Sequence, residues 1–242
     1  MLLSTVAIAQ DNYVAFTFFI GTMAMMAASV FFFFELNNVP QKWRTSVLVS
    51  GLITFIAAVH YYYMRSYNLE TGDSPTFFRY VDWILTVPLM CVEFYLITKK
   101  AGAKASLLWK LIFASVIMLV AGYFGETVYR ADSVLWGVIS GAAYFYIAYL
   151  IWFGEVASLA QTAGPSVAKA TRILAWFVLV GWAIYPLGYI LGTPGGLFGT
   201  TFVTDPKEAA VAMDIAYNIA DAINKIGFGL VIYTLAKSES DK

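Results

Sequence analysis

Seven stretches of this chain, near residues 12–36, 44–65, 76–98, 105–125, 133–155, 168–191 and 209–236, are long and predominantly apolar. A helix that crosses a bilayer needs roughly 20 such residues, so each stretch is long enough to span. The joints between them are Asn37-Asn38-Val39-Pro40, Ser66 to Pro75, Lys99 to Lys104, Glu126 to Asp132, Val156 to Val167 and Gly192 to Glu208. Connections this short force consecutive helices to run antiparallel in one bundle. The expectation is an all-α, seven-transmembrane-helix bundle, with residues 1–242 forming a single heptahelical domain. Composition agrees. Charged residues make up 12% of the chain and hydrophobic ones 60%, against about 25% charged in a soluble domain.

Lysine and arginine fix the expected orientation. Lys42, Arg44, Lys99, Lys100, Lys104, Lys110, Lys169, Arg172, Lys237 and Lys242 fall at one end of the bundle; Arg65, Arg79, Arg130 and Lys207 fall at the other. Positive charge marks the cytoplasmic face, which places the N-terminus outside and the C-terminus inside. Fifteen basic and fifteen acidic residues cancel, leaving no electrostatic footprint for nucleic acid. Cys91 is the only cysteine and His60 the only histidine, so neither an internal disulfide nor a Cys/His zinc site can form. Ala7-Ile8-Ala9 resembles a signal cleavage site, but the apolar run before it is short and lacks a basic flank.

Charged side chains inside a spanning helix are costly and by default mark a functional site. Five carry the reading: Arg79, Asp82 and Glu93 on helix three, Asp221 and Lys225 on helix seven. Lys225 sits mid-helix, where it must be paired, neutral or chemically modified. An amine taken out of water gives up its charge more readily and then attacks an aldehyde to form a Schiff base. Asp221, four residues earlier, shares its face. On these two residues alone, a structural Lys–Asp pair explains the pattern equally well. On helix three, Arg79, Asp82, Thr86 and Glu93 are offset by three, seven and fourteen positions, which keeps them near one face at about 100° per residue. Asp82 and Glu93 are then roughly 16 Å apart along the axis. That is too far for a direct proton hop and suits one carboxyl on either side of a central proton carrier.

Three motifs carry a resemblance. Arg79-Tyr80-Val81-Asp82-Trp83-Ile84-Leu85-Thr86-Val87-Pro88-Leu89, Trp182-Ala183-Ile184-Tyr185-Pro186, and Asp221 to Lys225 followed by Ile226-Gly227-Phe228-Gly229 occur in that order. In them the chain resembles the microbial rhodopsins, most closely the proteorhodopsin branch. The resemblance implies a light-driven ion transporter, not an enzyme, that binds all-trans retinal covalently on Lys225 as a protonated Schiff base and exports protons. It implies Asp82 as counterion and proton acceptor, Asp221 as second counterion, Glu93 as internal proton donor and Arg79 as a residue that tunes the counterion. Trp83, Thr86, Met90, Trp182, Tyr185, Pro186 and Tyr189 would surround the polyene; in so aromatic a chain, ordinary packing is the alternative for any one of them. Met90 stands where the branch sets colour, and an apolar side chain there implies green absorption.

His60 precedes Asp82 by 22 residues, as does the histidine that partners the acceptor carboxylate in proteorhodopsins. Glu126 resembles a carboxyl linked to proton release, although a solvated loop charge fits as well. The resemblance further implies a homo-oligomer, a pentamer or hexamer, in a bacterial inner membrane. Gly21, Ala24 and Ala28 on helix one have the small-residue spacing of close helix packing. Gly137 and Gly141 on helix five have it too, but Gly137 falls where many relatives carry a bulky aromatic beside the retinal ring. In the xanthorhodopsin branch a glycine there accommodates a carotenoid antenna, so a hydroxylated carotenoid is the functional reading of this pair. Close approach of helices five and six, or lipid filling the gap, is the structural one. A photosensory rhodopsin signalling to a partner is the main rival function, and Glu93 counts against it because a sensor needs no internal donor. A sodium or chloride pump would alter the Asp82/Thr86/Glu93 triplet, and a heptahelical ligand receptor has no use for Lys225 facing two aspartates.

Overall fold

The computed structural model describes residues 9, 11–192 and 206–239. Ala7 and Ile8 of the Ala7-Ile8-Ala9 stretch, and most of the joint between helices six and seven, lie outside the described residues. Seven helical segments long and apolar enough to span a membrane run Tyr13–Asn38, Gln41–Thr71, Thr76–Ala101, Ala105–Val128, Arg130–Thr162, Pro165–Ile190 and Lys207–Ser238. They are called helices one to seven below. Consecutive helices pack side by side, and helix seven also packs against helices one and two, which closes the bundle.

Local chemistry sets the ends. Asn12 caps helix one, its side-chain oxygen accepting from the Ala15 amide at 2.9 Å. Helix two continues past the expected residue 65 to Thr71. It stops at Gly72, whose φ of 73° is left-handed and whose amide donates to the Asn68 carbonyl at 2.8 Å. The expected joint at Val156 to Val167 is also helical for most of its length. After a break at Gly154 the chain forms Glu155–Ala163, and Pro165 then opens helix six at a first-turn position that needs no amide hydrogen. Both joints were read as loops on their polar residues, yet helix needs no apolar face where it emerges from lipid into water.

The bundle is apolar outside and polar inside. Phe34 and Phe153 are 78% and 81% exposed, whereas Arg79, Asp82, Thr86, Glu93, Asp214, Asn218, Asp221, Asn224 and Lys225 are all buried. The helix-three stripe read from the sequence therefore faces inward along its whole length.

Helix six is interrupted. A π-turn at Phe177–Gly181 is followed by Pro186, which has no amide to donate. Backbone carbonyls thus released inside hydrocarbon need partners from elsewhere. Tyr144 of helix five donates its hydroxyl toward the Val178 and Leu179 carbonyls (3.1 and 2.8 Å), Asn224 of helix seven donates to Gly181 (3.0 Å), and Tyr217 donates to Tyr185 (2.9 Å).

Gly21 lets helices one and two approach closely. A Cβ there would lie 2.8 Å from the ring of Tyr61, which is fully buried and held through its hydroxyl by Asp221. At Gly141 a Cβ would meet nothing within 4 Å. Gly21→Ala is therefore expected to destabilise the protein by about 1–3 kcal/mol through overpacking, with Gly141→Ala close to neutral. Thermal unfolding in detergent checks this, and equal midpoints for the two variants would contradict the packing account.

Candidate functional site

The centre of the bundle is built around Lys225. Its Nζ lies 2.5 Å from Asp82 Oδ2 on helix three and 2.6 Å from Asp221 Oδ2 one turn earlier on helix seven, and all three side chains are buried. Helical spacing explains the second contact and the inward stripe of helix three the first. Asp221 is fixed further by Tyr61 of helix two, whose hydroxyl donates to Oδ2 at 3.0 Å, and by Tyr185 of helix six, which donates to Oδ1 at 2.9 Å. Four helices thus hold one ammonium between two carboxylates. An isolated charge in such surroundings would be prohibitive, so removing one partner is far more costly than the pair's net worth.

Lys225 and Asp221 also form part of the wall of a largely apolar space between helices three to seven. Trp83, Met90, Trp182, Tyr185, Pro186 and Tyr189 line it, joined by Gly137 and Gly141 on the helix-five side. Trp83 is packed edge-on against Tyr185 and Tyr217, with ring centroids 4.9 and 5.6 Å apart. Thr86 alone of the expected pocket residues is not in the wall: its hydroxyl turns back to the Asp82 carbonyl at 2.9 Å, as a threonine within a helix commonly does. A wall of rings and aliphatic side chains with one amine in it has the chemistry to hold a long apolar aldehyde and bond it covalently. The residues present therefore fit retinal.

Glu93, on the opposite side of Met90 from Asp82, is fully buried and accepts a hydrogen bond from Ser50 at 3.3 Å. His60 comes near Asp82, with Nδ1 3.9 Å from Oδ1, but that nitrogen lies 2.9 Å from the Ile56 carbonyl of its own helix, where its hydrogen bond goes. Arg79 points away from Asp82. Its guanidinium donates to Asp214 at 2.8 Å and to Asn218 at 3.3 Å, both on helix seven. Glu126 belongs to a π-turn at Phe124–Val128 that extends helix four beyond the expected boundary, and it accepts from the Tyr80 hydroxyl at 2.7 Å.

Asp214, Asn218, Tyr61 and Asn224 were not singled out from the sequence. A signal for two of them existed: Asp214 and Asn218, with Asp221 and Lys225, follow the i, i+4, i+7, i+11 rule of one helical face. Tyr61 had none, being one of three consecutive tyrosines of which only the first is buried.

Comparison with known proteins places this geometry. The family described as bacteriorhodopsin-like protein matches residues 12–239. The chain is 44% identical over 231 residues to the green-light absorbing proteorhodopsin of Gamma-proteobacterium EBAC31A08, covering 95% of this chain and 89% of that one. It is 44% identical over 232 residues to the blue-light absorbing proteorhodopsin of Gamma-proteobacterium Hot 75m4, covering 95% and 88%. Among solved structures, the blue light-absorbing proteorhodopsin from Med12 superposes with a TM-score of 0.78 at 40% identity over 94% of this chain and 100% of that one. Xanthorhodopsin, a light-driven ion pump with dual chromophore, does so with a TM-score of 0.82 at 30% identity over 97% and 96%.

The central cluster makes its own prediction. Lys225→Met leaves two buried carboxylates without their shared cation, and a loss of about 3–5 kcal/mol in the ligand-free protein is expected. Adding Asp221→Asn should recover part of it. Denaturation of the two variants side by side measures this, and a double variant no more stable than Lys225→Met would break the account.

Proposed function

Because the chain belongs to the bacteriorhodopsin-like family of multi-pass membrane proteins, which are ion transporters and not enzymes, we propose that it is a light-driven outward proton pump with all-trans retinal on Lys225. The observation that carries this reading is Lys225 Nζ held between Asp82 and Asp221 in the wall of an apolar cavity, with a second buried carboxyl, Glu93, farther along helix three. Retinal, carried as a protonated Schiff base on Lys225 Nζ, supplies absorption of visible light and a light-driven change of shape beside that nitrogen.

The chain's own residues supply the direction. With the N-terminus outside, as the distribution of lysine and arginine implies, Asp82 lies on the outward side of Lys225 and Glu93 on the inward side. Asp82 Oδ2 takes the Nζ proton, being 2.5 Å away. Asp221 keeps its two hydroxyl donors, Tyr61 and Tyr185, and so remains the fixed negative charge of the site. Glu93 holds its proton in a pocket shared with Ser50 and returns one to Nζ from the inner side. Trp83, Met90 and Trp182 exclude water between the two carboxyls, which stops the proton from running back. Transport of one charge against the membrane potential costs about 2.3 kcal/mol per 100 mV, far less than a visible photon provides. The photosensory alternative gives the buried Glu93 nothing to do.

A second reading concerns the helix-five side. Gly137 and Gly141 line the cavity and are both partly exposed, so the cavity opens laterally toward lipid there. A Cβ at Gly137 would come within 3.1 Å of the Tyr189 ring, so close approach of helices five and six accounts for that glycine, whereas Gly141 stands over open space. The opening suits a hydroxylated carotenoid lying against the bundle.

Two tests follow. Light-induced proton export from retinal-supplied cells should vanish in Asp82→Asn, which should also shift the absorption to the red. Glu93→Gln should keep its colour but slow recovery of the Nζ proton, with azide restoring the rate; wild-type recovery without azide would refute the donor role. For the opening, lutein or zeaxanthin added to purified protein should appear in the retinal excitation spectrum and disappear in Gly137→Trp. Transfer that survives that substitution places the carotenoid elsewhere.

A further inference from the structure

The outward half of the bundle contains a buried ion pair that the proposed proton path does not use. Arg79 and Asp214 are each 2% exposed and bonded at 2.8 Å. Arg79 is held on four sides: by Asp214, by the Asn218 side-chain oxygen at 3.3 Å, and by the ring faces of Phe18 and Tyr217, 5.5 and 5.2 Å from the guanidinium carbon. Asp214 is in turn held by the Ser74 hydroxyl at 2.7 Å, and Asn218 donates to Thr17 at 3.0 Å. Helices one, three and seven and the joint between helices two and three all contribute.

Arg79 has a second carboxylate within reach. Asp82 lies three residues along the same helix, a spacing at which side chains meet, and its Oδ1 accepts no hydrogen bond from any described residue. Two carboxylates thus compete for one guanidinium, and the structure has Asp214 holding it. We propose that Asp214 is a positioning residue that keeps the Arg79 charge on the helix-seven side, and so sets the strength of the negative field that Asp82 and Asp221 exert on Lys225 Nζ.

The charges that bear on this field are few. Lys225 and Asp221 come from helix seven, His60 from helix two, and Glu126, hydrogen-bonded to Tyr80, from helix four. With Asp214 in place, Arg79 and Asp214 neutralise one another and the Asp82–Asp221 pair acts on Nζ undiluted. Without it, a guanidinium of fixed charge in a low-dielectric interior turns to the remaining carboxylates around Lys225, Asp82 on its own helix and Asp221. A cation there weakens the field at Nζ. A protonated Schiff base with a weaker counterion field absorbs farther to the red, because excitation moves its positive charge away from the nitrogen.

The proposal rests on retinal being bound at Lys225, and its test separates the two. The dark absorption maximum of the full chain, purified with all-trans retinal, is measured at alkaline pH in the wild type, Asp214→Asn, Arg79→Gln and the double variant. Asp214→Asn is expected to shift the maximum to the red, Asp214→Glu to restore it, and Asp214→Asn added to Arg79→Gln to change nothing. A wild-type maximum in Asp214→Asn overturns the proposal. So does a red shift of the same size in the Arg79→Gln background, since Asp214 would then act directly through its charge and not through Arg79. A wild-type protein that takes up retinal without any visible band refutes the retinal reading instead. If Asp214→Asn does not accumulate, Ser74→Ala loosens the same carboxylate. It should give a smaller red shift that is likewise absent in the Arg79→Gln background, and an unshifted maximum in Ser74→Ala overturns the proposal equally.

Discussion

A single ammonium buried between two carboxylates is the interaction on which the rest of this structure depends. In a low-dielectric interior the Lys225 charge is tolerable only because Asp82 and Asp221 lie 2.5 and 2.6 Å away. Those carboxylates would repel one another without it. The arrangement therefore dictates that helices three and seven face one another across the bundle centre at one height, and Tyr61 and Tyr185 then tie helices two and six to Asp221. The fold is specified at this point by polar contacts. Elsewhere, facing lipid as apolar as its own side chains, it must rely on close packing such as that of Gly21 against Tyr61.

The same cluster separates two kinds of carboxyl. Asp82 and Asp221 share a cation, whereas Glu93 is met by the Ser50 hydroxyl and, among the described residues, by no cation. Asp82 and Glu93, groups of one chemical type, are thereby placed in unlike surroundings along one helix, which is what the proposed directional proton transfer would require of them. Arg79 and Asp214 add a third environment, a pair that places charge but no net charge one turn from Asp82 toward the start of helix three.

Much of this could be read from the chain beforehand, for identifiable reasons. Seven spans were legible because a bilayer imposes a length on every one of them, and the helix-three stripe because charge in a span has only one place to face. Helix ends were less so. Helix two runs on to Thr71 and Glu155–Ala163 is helical, since outside the hydrocarbon a helix keeps its hydrogen bonds without keeping an apolar sequence. The direction of Arg79 was illegible from helix three alone: an arginine is long enough to choose between carboxylates on two helices, and the choice depends on Asp214 and Asn218, 135 and 139 residues away. Thr86 shows the converse limit, since its place on the stripe was correct while its hydroxyl was satisfied by its own backbone and not turned to the cavity.

Helix six illustrates what a bilayer demands of any bend. In water a broken turn is repaired by solvent at no design cost. In hydrocarbon each released carbonyl must find a donor that is already there, and here Tyr144, Asn224 and Tyr217 serve Val178, Leu179, Gly181 and Tyr185. Asn224 is the residue next to Lys225, so the backbone that carries the central lysine is stitched to the weakest point of the neighbouring helix. A turn of helix seven at Lys225 would pull on the Gly181 carbonyl through Asn224, which couples the lysine's own backbone directly to the π-turn at Phe177–Gly181.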